Sequence, residues 1–586
     1  MSNITQVKRV YSNFRGVDFS NSEVELYRSP NSKNMWKNYE DGDGIETRPG
    51  MILLGEFGSQ IYGFFFYKLE TSIQVIVHSG TKLYRWDNFP NKPAEKTLLQ
   101  ENMNISNSNM FVFNNILFIH DGLHYYEYDG TNIKLVEGTV PITRIGTTPS
   151  GTIYKDDVDY VYQDVNLLTS LRKCGFVADG ESKDYHLDSY NLDSANKYIM
   201  KATVNGVIKT EAIDFTVDRT AGVVTFKEIP PKPLEDGDSN VIITYSKTES
   251  DNQDRINKCT IITEFDNRIF FSGNFNYPNT VFHSELEDPR YIRDSAYYPI
   301  GLDLAPVKCL IPGNGILWVF KETIQNYSNA YYMTPTIDST YGKTYPSVKG
   351  NISTGCVSTG INFNDDICFF SKRGLEAIGD NLGDDQILDH RSSLVDSKLI
   401  SCNGYKNIKL VEYKGYLMCL VDSKIFLADS RCLYEKTSNK VEYEWFYWEL
   451  PFNINYITEY QNDLYLANSD GKIYILEGNT DDGNDIYSNW RTSQDTFKYD
   501  SYRKVTNKRG ATASVKKMNN NSITVKAITE LRETEIGNNY SDEKGYIVYR
   551  TKQKKFKWIQ LDFSSNKPFG LFSCTLECFI GGYVKR

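Results

Sequence analysis

The chain has 586 residues, with 65 Lys and Arg against 75 Asp and Glu and a net charge of −10. It is too long for one hydrophobic core, so several domains are expected. Aromatic residues make up 14% of it, with 42 Tyr and 31 Phe. That richness suits half-buried sheet surface and excludes a disordered chain, and the absence of any run of about 18 apolar residues excludes a membrane-spanning helix.

Residues 1–50 read as an extended, polar N-terminal arm. It has a turn at Glu40-Asp41-Gly42-Asp43-Gly44 and ends on Arg48-Pro49-Gly50. The opening residues lack the basic and apolar regions of a signal peptide, which points to synthesis and folding in a cytoplasm.

From residue 51 a unit recurs: an apolar strand, a tight turn, a second apolar run, another turn. The second runs begin at Ile73, Ile116, Ile269, Ile316, Ile367, Leu417 and Leu464. Five of the six gaps average about 48 residues, the length expected of a four-stranded propeller blade. The linking turns carry Asn, Asp, Gly or Lys, as at Asn114-Asn115, Asp266-Asn267, Gly313-Asn314-Gly315, Asp365-Asp366 and Lys414-Gly415. Asn, Asp and Gly tolerate left-handed backbone, as such turns require. Runs such as Ile367-Cys368-Phe369-Phe370 are apolar on both faces, as strands covered on both sides should be. The expected fold is all-β: a β-propeller of about seven blades. Blades 1–2 lie within residues 51–140 and blades 3–7 within 251–478. A pair of β-sandwiches is the competing architecture, since short regular strands suit both.

The gap between Ile116 and Ile269 is about 105 residues too long, room for one small domain at 141–250. Within it, Phe215 to Asp218, Gly222 to Phe226 and Val241 to Tyr245 read as strands of a sandwich-like insertion. Residues 479–490, rich in Asp, Asn and Gly, read as a linker. Residues 491–586 read as a C-terminal β domain carrying 19 Lys and Arg against 9 Asp and Glu. That is +10, leaving −20 on the remainder. Such asymmetry suggests a face meeting a polyanion or an acidic partner. Arg550, Lys552, Lys554, Lys555 and Lys557 are the candidate DNA- or partner-facing residues. In one extended strand Lys552, Lys554, Phe556 and Trp558 would share a face opposite Gln553, Lys555, Lys557 and Ile559. Lysines there would attract phosphate, or equally keep a strand edge from pairing.

Catalytic and metal-binding patterns are sparse, and the chain reads as neither an enzyme nor a cofactor protein. His120 and His124 flank a predicted hairpin turn. The ten cysteines form no CxxC. Asp384-Asp385 and Asp481-Asp482 do not have calcium-loop spacing, and there is no phosphate loop or nucleophile elbow.

The segment Arg28-Ser29-Pro30, Asn34-Met35-Trp36 and Gly44-Ile45-Glu46-Thr47-Arg48-Pro49-Gly50 resembles the opening of a class of tailed-phage structural proteins. In that class a Lys/Arg-Arg-Pro-Gly turn precedes propeller strands; here Thr47 stands before Arg48. Asp164 to Thr169, the strands from Phe215 to Phe226, and the ending Gly581 to Arg586 are similar to segments in phages of Gram-positive bacteria. The class includes tail nozzle (tail tubular protein B) and packaged-DNA stabilisation proteins. The resemblance implies a virion protein of the tail or neck, made in the host bacterial cytoplasm. It implies a hexameric ring that continues the DNA channel, retains packaged DNA and takes part in ejection. Its implied partners are copies of itself, adaptor or portal proteins, tail fibres, and double-stranded DNA held without sequence preference; Trp36, Arg48, Pro49 and Gly50 are its family-like motif. The alternative is a propeller that binds host-surface glycan on exposed Trp36, Trp86 or Trp318.

Overall fold

The computed structural model describes residues 5–20, 23–40, 42–155, 162–339, 342–379, 388–437, 440–518, 520, 522–538, 545–551 and 553–583. The chain has an all-β propeller fold with an inserted sandwich-like domain and a C-terminal β domain. It divides into two compact units. One contains residues 1–103, 322–330 and 350–586; the other contains residues 104–321 and 331–349.

Seven antiparallel four-stranded meanders carry the repeat among the described residues. Every one of the seven apolar runs expected from the sequence is a strand: Ile73–Ser79, Ile116–His120, Arg268–Ser272, Ile316–Lys321, Asp366–Ser371, Tyr416–Val421 and Asp463–Asn468. Each pairs with the strand just before it in sequence. The turns between them explain the Asn and Asp content. Asn114 and Asn115 have φ of 49° and 59°, Asp266 and Asn267 have 53° and 54°, and Asn364 and Asp365 have 51° and 65°. Two consecutive left-handed residues give the turn whose twist matches that of the flanking strands. The sequence reading placed one of these turns at Asp365-Asp366; it lies one residue earlier, because Asp366 already pairs with Phe363 in the ladder.

In the first unit, neighbouring meanders pack face to face. Phe363, Cys368 and Phe370 pack with Leu417, Cys419 and Phe426. Tyr416, Met418 and Leu420 share a core with Leu464, Leu466 and Tyr474. Tyr465 and Ile473 pack with Phe64, Val75 and Trp86. In the second unit, Phe118 and Tyr125 pack with Ile269 and Phe271, and Phe270 and Val281 with Leu317 and Val319. Both faces of these strands are covered, so they read apolar without alternation.

The insertion has two sheets. Strands Ile142–Thr147, Leu171–Phe176, Val241–Ser246, Lys201–Val204 and Val207–Thr210 form one; Asp184–His186, Val223–Phe226 and Phe215–Asp218 form the other. Phe176, Tyr185, Phe226 and Ile243 are among the residues of the core between them.

The two chain ends depart from the expected layout. Residues 1–50 were expected as an extended arm, but the described part is woven into the fold. Thr5–Tyr11 pairs along its whole length with the long strand Gly570–Tyr583, and Ile45–Thr47 pairs with the start of the same strand. Met35–Trp36 pairs with Ile45–Thr47 and joins it to Lys440–Glu449, so one sheet runs from a meander into the C-terminal domain. Met51–Glu56, which directly follows the arm, supplies the outer strand of the meander that begins at Ile454, some 420 residues along the chain from its partner Lys472–Leu476. The expected linker at 479–490 is also no free tether. Asp481, Ile486, Ser488 and Asn489 are buried, and Ser488–Arg491 is a strand paired with Ile559–Ser565.

Candidate functional site

The family-like motif sits at this seam. Arg48 is buried, with an exposure of 1%. Its Nη1 and Nη2 donate to Oδ1 and Oδ2 of Asp481 at 2.9 and 2.6 Å, a two-pronged ion pair. Arg48 Nε donates to Asn34 Oδ1 at 3.2 Å, and Nη1 also donates to the Pro49 carbonyl. Asn34 Oδ1 accepts a further bond from the Glu449 N–H, and Asn34 Nδ2 donates to the Tyr487 carbonyl. One arginine therefore ties together the N-terminal segment, the end of strand Lys440–Glu449 and the 481–489 segment. A guanidinium can do this because its planar fork offers several donors in fixed directions.

Gly50 is needed for close approach. A β-carbon there would lie 2.1 Å from the Thr480 carbonyl oxygen. Thr47, which replaces the basic residue of the resembled pattern, is buried. Its hydroxyl lies 2.8 Å from Ser488 Oγ and accepts from the Phe569 N–H. A lysine or arginine in that place would bury a charge with no partner, at heavy cost. Beside it, Lys516 Nζ donates to Glu46 at 3.0 Å, with both side chains buried.

The basic candidates lie on the surface of the C-terminal domain. Arg550, Lys554, Lys555 and Lys557 are exposed; Lys552 lies outside the described residues. The expected two-faced strand is not formed. Among the described residues Lys554–Phe556 is a short strand and Ile559 opens a separate one, and Lys555 has a left-handed φ of 63° that breaks the alternation. Lys554, Lys555 and Lys557 all reach solvent, while Gln553, Phe556 and Ile559 are buried. Glu530 sits within the group, accepting from the Lys557 N–H at 2.7 Å.

The remaining candidates are structural. His120 is buried with Nε2 3.1 Å from the Ile256 carbonyl oxygen, and burial pushes its pKa down to about 4. Asp121 accepts from the N–H groups of Asn104, Leu123 and His124, which shapes the turn. Asp481 is spent on Arg48, and Asp384-Asp385 lies outside the described residues. Among the described residues no group of three His, Cys, Asp or Glu is placed to hold a metal ion.

Trp36, Trp86 and Trp318 are not the exposed platforms that the glycan alternative required. Their exposures are 1%, 2% and 3%. Trp36 packs edge-on against Trp448, Trp86 against Phe57 and Phe89, and Trp318 beside Tyr332. The sequence reading took these three tryptophans to be exposed; the packing of neighbouring strands and rings over them overrides that.

No protein-family model matches the chain, and a search of curated proteins finds no sequence match. Similarity to solved structures is confined to the fold. BamB from Moraxella catarrhalis shares 9% identity at a TM-score of 0.30, covering 76% of this chain and 97% of that one. YCF48 from Cyanidioschyzon merolae shares 9% at 0.28, covering 74% and 99%. The BBS1 N-terminal region crystallised with ARL6 shares 8% at 0.33, covering 73% and 97%. Likenesses this distant carry no argument about what the chain does.

Proposed function

We propose that this chain is a non-catalytic structural protein of a tailed-phage virion, a ring subunit of the tail nozzle or neck. Copies of the chain form a ring, hexameric by resemblance, that meets portal or adaptor proteins, anchors fibres and passes double-stranded DNA. The observation that carries it is the placement of the resembled motif. Arg48, Pro49 and Gly50 form a buried joint at which the first strands, a propeller sheet and the C-terminal domain are locked together. A protein that transmits load between neighbours needs its two chain ends tied into one sheet system, since frayed termini are the first elements to open.

Native mass spectrometry of the purified chain tests this, together with negative-stain images of virions labelled for it. A closed oligomer and label at the neck or tail are expected. A strict monomer that is absent from particles overturns the reading.

A further inference from the structure

Three lysines converge where the seam meets strand Lys440–Glu449. Lys33 follows the Arg28-Ser29-Pro30 segment, Lys398 lies on the short helix Asp396–Leu399, and Lys424 opens strand Lys424–Thr437 opposite Glu449 in the ladder. Lys33 Nζ donates to Glu449 Oε2 at 2.5 Å, and Tyr447 Oη donates to Glu449 Oε1 at 2.8 Å. Both oxygens of that carboxylate are therefore engaged before either of the other lysines is considered.

Lys398 is held differently. Its ammonium stands 4.1 Å from the ring centre of Phe19 and 4.0 Å from that of Tyr447. The two rings meet edge to face at 5.4 Å, and Phe19 is fixed by bonds from its N–H to the Leu394 carbonyl and from Ser397 Oγ to its own carbonyl. Two ring faces attract a cation but supply no counter-charge. Lys424 Nζ lies 3.9 Å from Cys402 Sγ, whose thiol donates to the Lys398 carbonyl. The other nearby carboxylate, Asp422, is turned to the Gly404 N–H at 3.0 and 3.2 Å.

Burial, with the charges of Lys33 and Lys424 adding to it, depresses the Lys398 pKa against the pull of Glu449. Burial also opposes the Glu449 carboxylate, but the bonds from Lys33 and Tyr447 and the charge of Lys398 hold its pKa below the ordinary value. Like charges gathered on a half-buried surface, with the shared carboxylate already bonded, call for an anion with several acceptor oxygens.

We infer that Lys33, Lys398 and Lys424 form a binding site for a phosphate group, set between the Phe19–Tyr447 ring pair and Glu449. The shared chemistry is an anionic tetrahedral phosphate group, taken either as free phosphate or as the singly charged diester of a nucleic-acid backbone. This inference stands apart from the tail reading: a ring protein without the site, or a monomer with it, are both coherent outcomes.

The test titrates full-length protein with inorganic phosphate, and with sodium chloride at matched ionic strength so that screening is equal. Calorimetry gives the affinity. Phosphate is expected to bind where chloride does not. Lys398→Gln and Lys424→Gln are each expected to weaken it about tenfold, the loss of one charge-assisted bond. Glu449→Gln keeps all three ammonium groups and removes the competing negative charge, so it is expected to bind phosphate more tightly, a direction that misfolding cannot produce. A short DNA duplex that displaces phosphate marks the backbone as the source; phosphate binding that the duplex leaves untouched marks a free anion. Wild-type protein that responds no more to phosphate than to chloride overturns the site, as do lysine variants that bind like wild type.

Discussion

Two regions of the first unit use the same kind of strand and are held by different means. The meander of Gly360–Phe363, Asp366–Ser371, Gly374–Ile378 and Leu388–His390 draws its strands from one continuous stretch. At the seam, Met51–Glu56 completes a sheet begun at Ile454, and Thr5–Tyr11 pairs with Gly570–Tyr583. The first needs only turns and an apolar pattern, because its partners are already neighbours along the chain. The second must bring distant segments together against a larger loop-closure entropy, and a buried polar lock fixes where they meet. Local sheets are thus specified by turn chemistry, and the seam by Arg48, Asn34 and Asp481.

The largest effect should come from breaking that lock. Arg48→Ala leaves Asp481 buried without its cation and should cost about 3–5 kcal/mol, read from denaturant unfolding. Replacing both residues with apolar ones of similar size should cost less than either single change, because no unpaired charge remains. Equal costs for the double and single variants would mean that the ion pair does not hold the seam.

The next effect belongs to the local meander and depends on pH. His390 Nε2 lies 2.5 Å from Asp396 Oδ2, and Nδ1 lies 3.4 Å from Glu376 Oε2. Burial opposes the imidazolium, but the bonds and charges of Asp396 and Glu376 override it and raise its pKa to about 9. A folded pKa above the unfolded value of about 6.5 gives stability that is complete below pH 6.5 and lost as pH rises through 9. The full difference is at most about 3 kcal/mol. His283, buried and pushed down to about 4, acts in the opposite sense. It costs stability as pH falls from about 6.5 towards 4, where the unfolded chain takes up a proton that the folded one refuses. Unfolding free energy measured from pH 5 to 9.5 should lose its alkaline decline in His390→Gln and keep its acid decline.

A turn variant should matter less. Asn364→Ala keeps the φ of 51° but loses the short amide side chain that makes asparagine tolerant of left-handed backbone, and should cost about 1 kcal/mol. The expected loss appears as a lower unfolding midpoint with an unchanged slope. The smallest effect is on the surface of the C-terminal domain. Lys526→Ala removes an exposed bond to Glu533 and should shift stability by less than about 0.5 kcal/mol. A larger change there would blur the contrast between buried lock and solvated pair.

The amino-acid order alone determined the meanders. Apolar runs beginning near Ile73, Ile269 or Leu464 and turns such as Asn114-Asn115 are local signals, and each element they predict pairs with its neighbour in sequence. The insertion also announced itself, as a single gap too long for the repeat. What the order could not decide was partnership between distant segments. Alternation says that Met51–Glu56 has a buried face but not that its partner is Lys472–Leu476. Nothing near Arg48 in the chain indicates that its counter-charge lies at Asp481. The same holds for burial: Trp36 and Trp86 read as exposed until neighbouring sheets cover them, and Lys33, Lys398 and Lys424 read as scattered lysines until the fold gathers them. Periodicity is a property of one strand, whereas burial and electrostatics are properties of the segments brought against it, and these exist only in the folded chain.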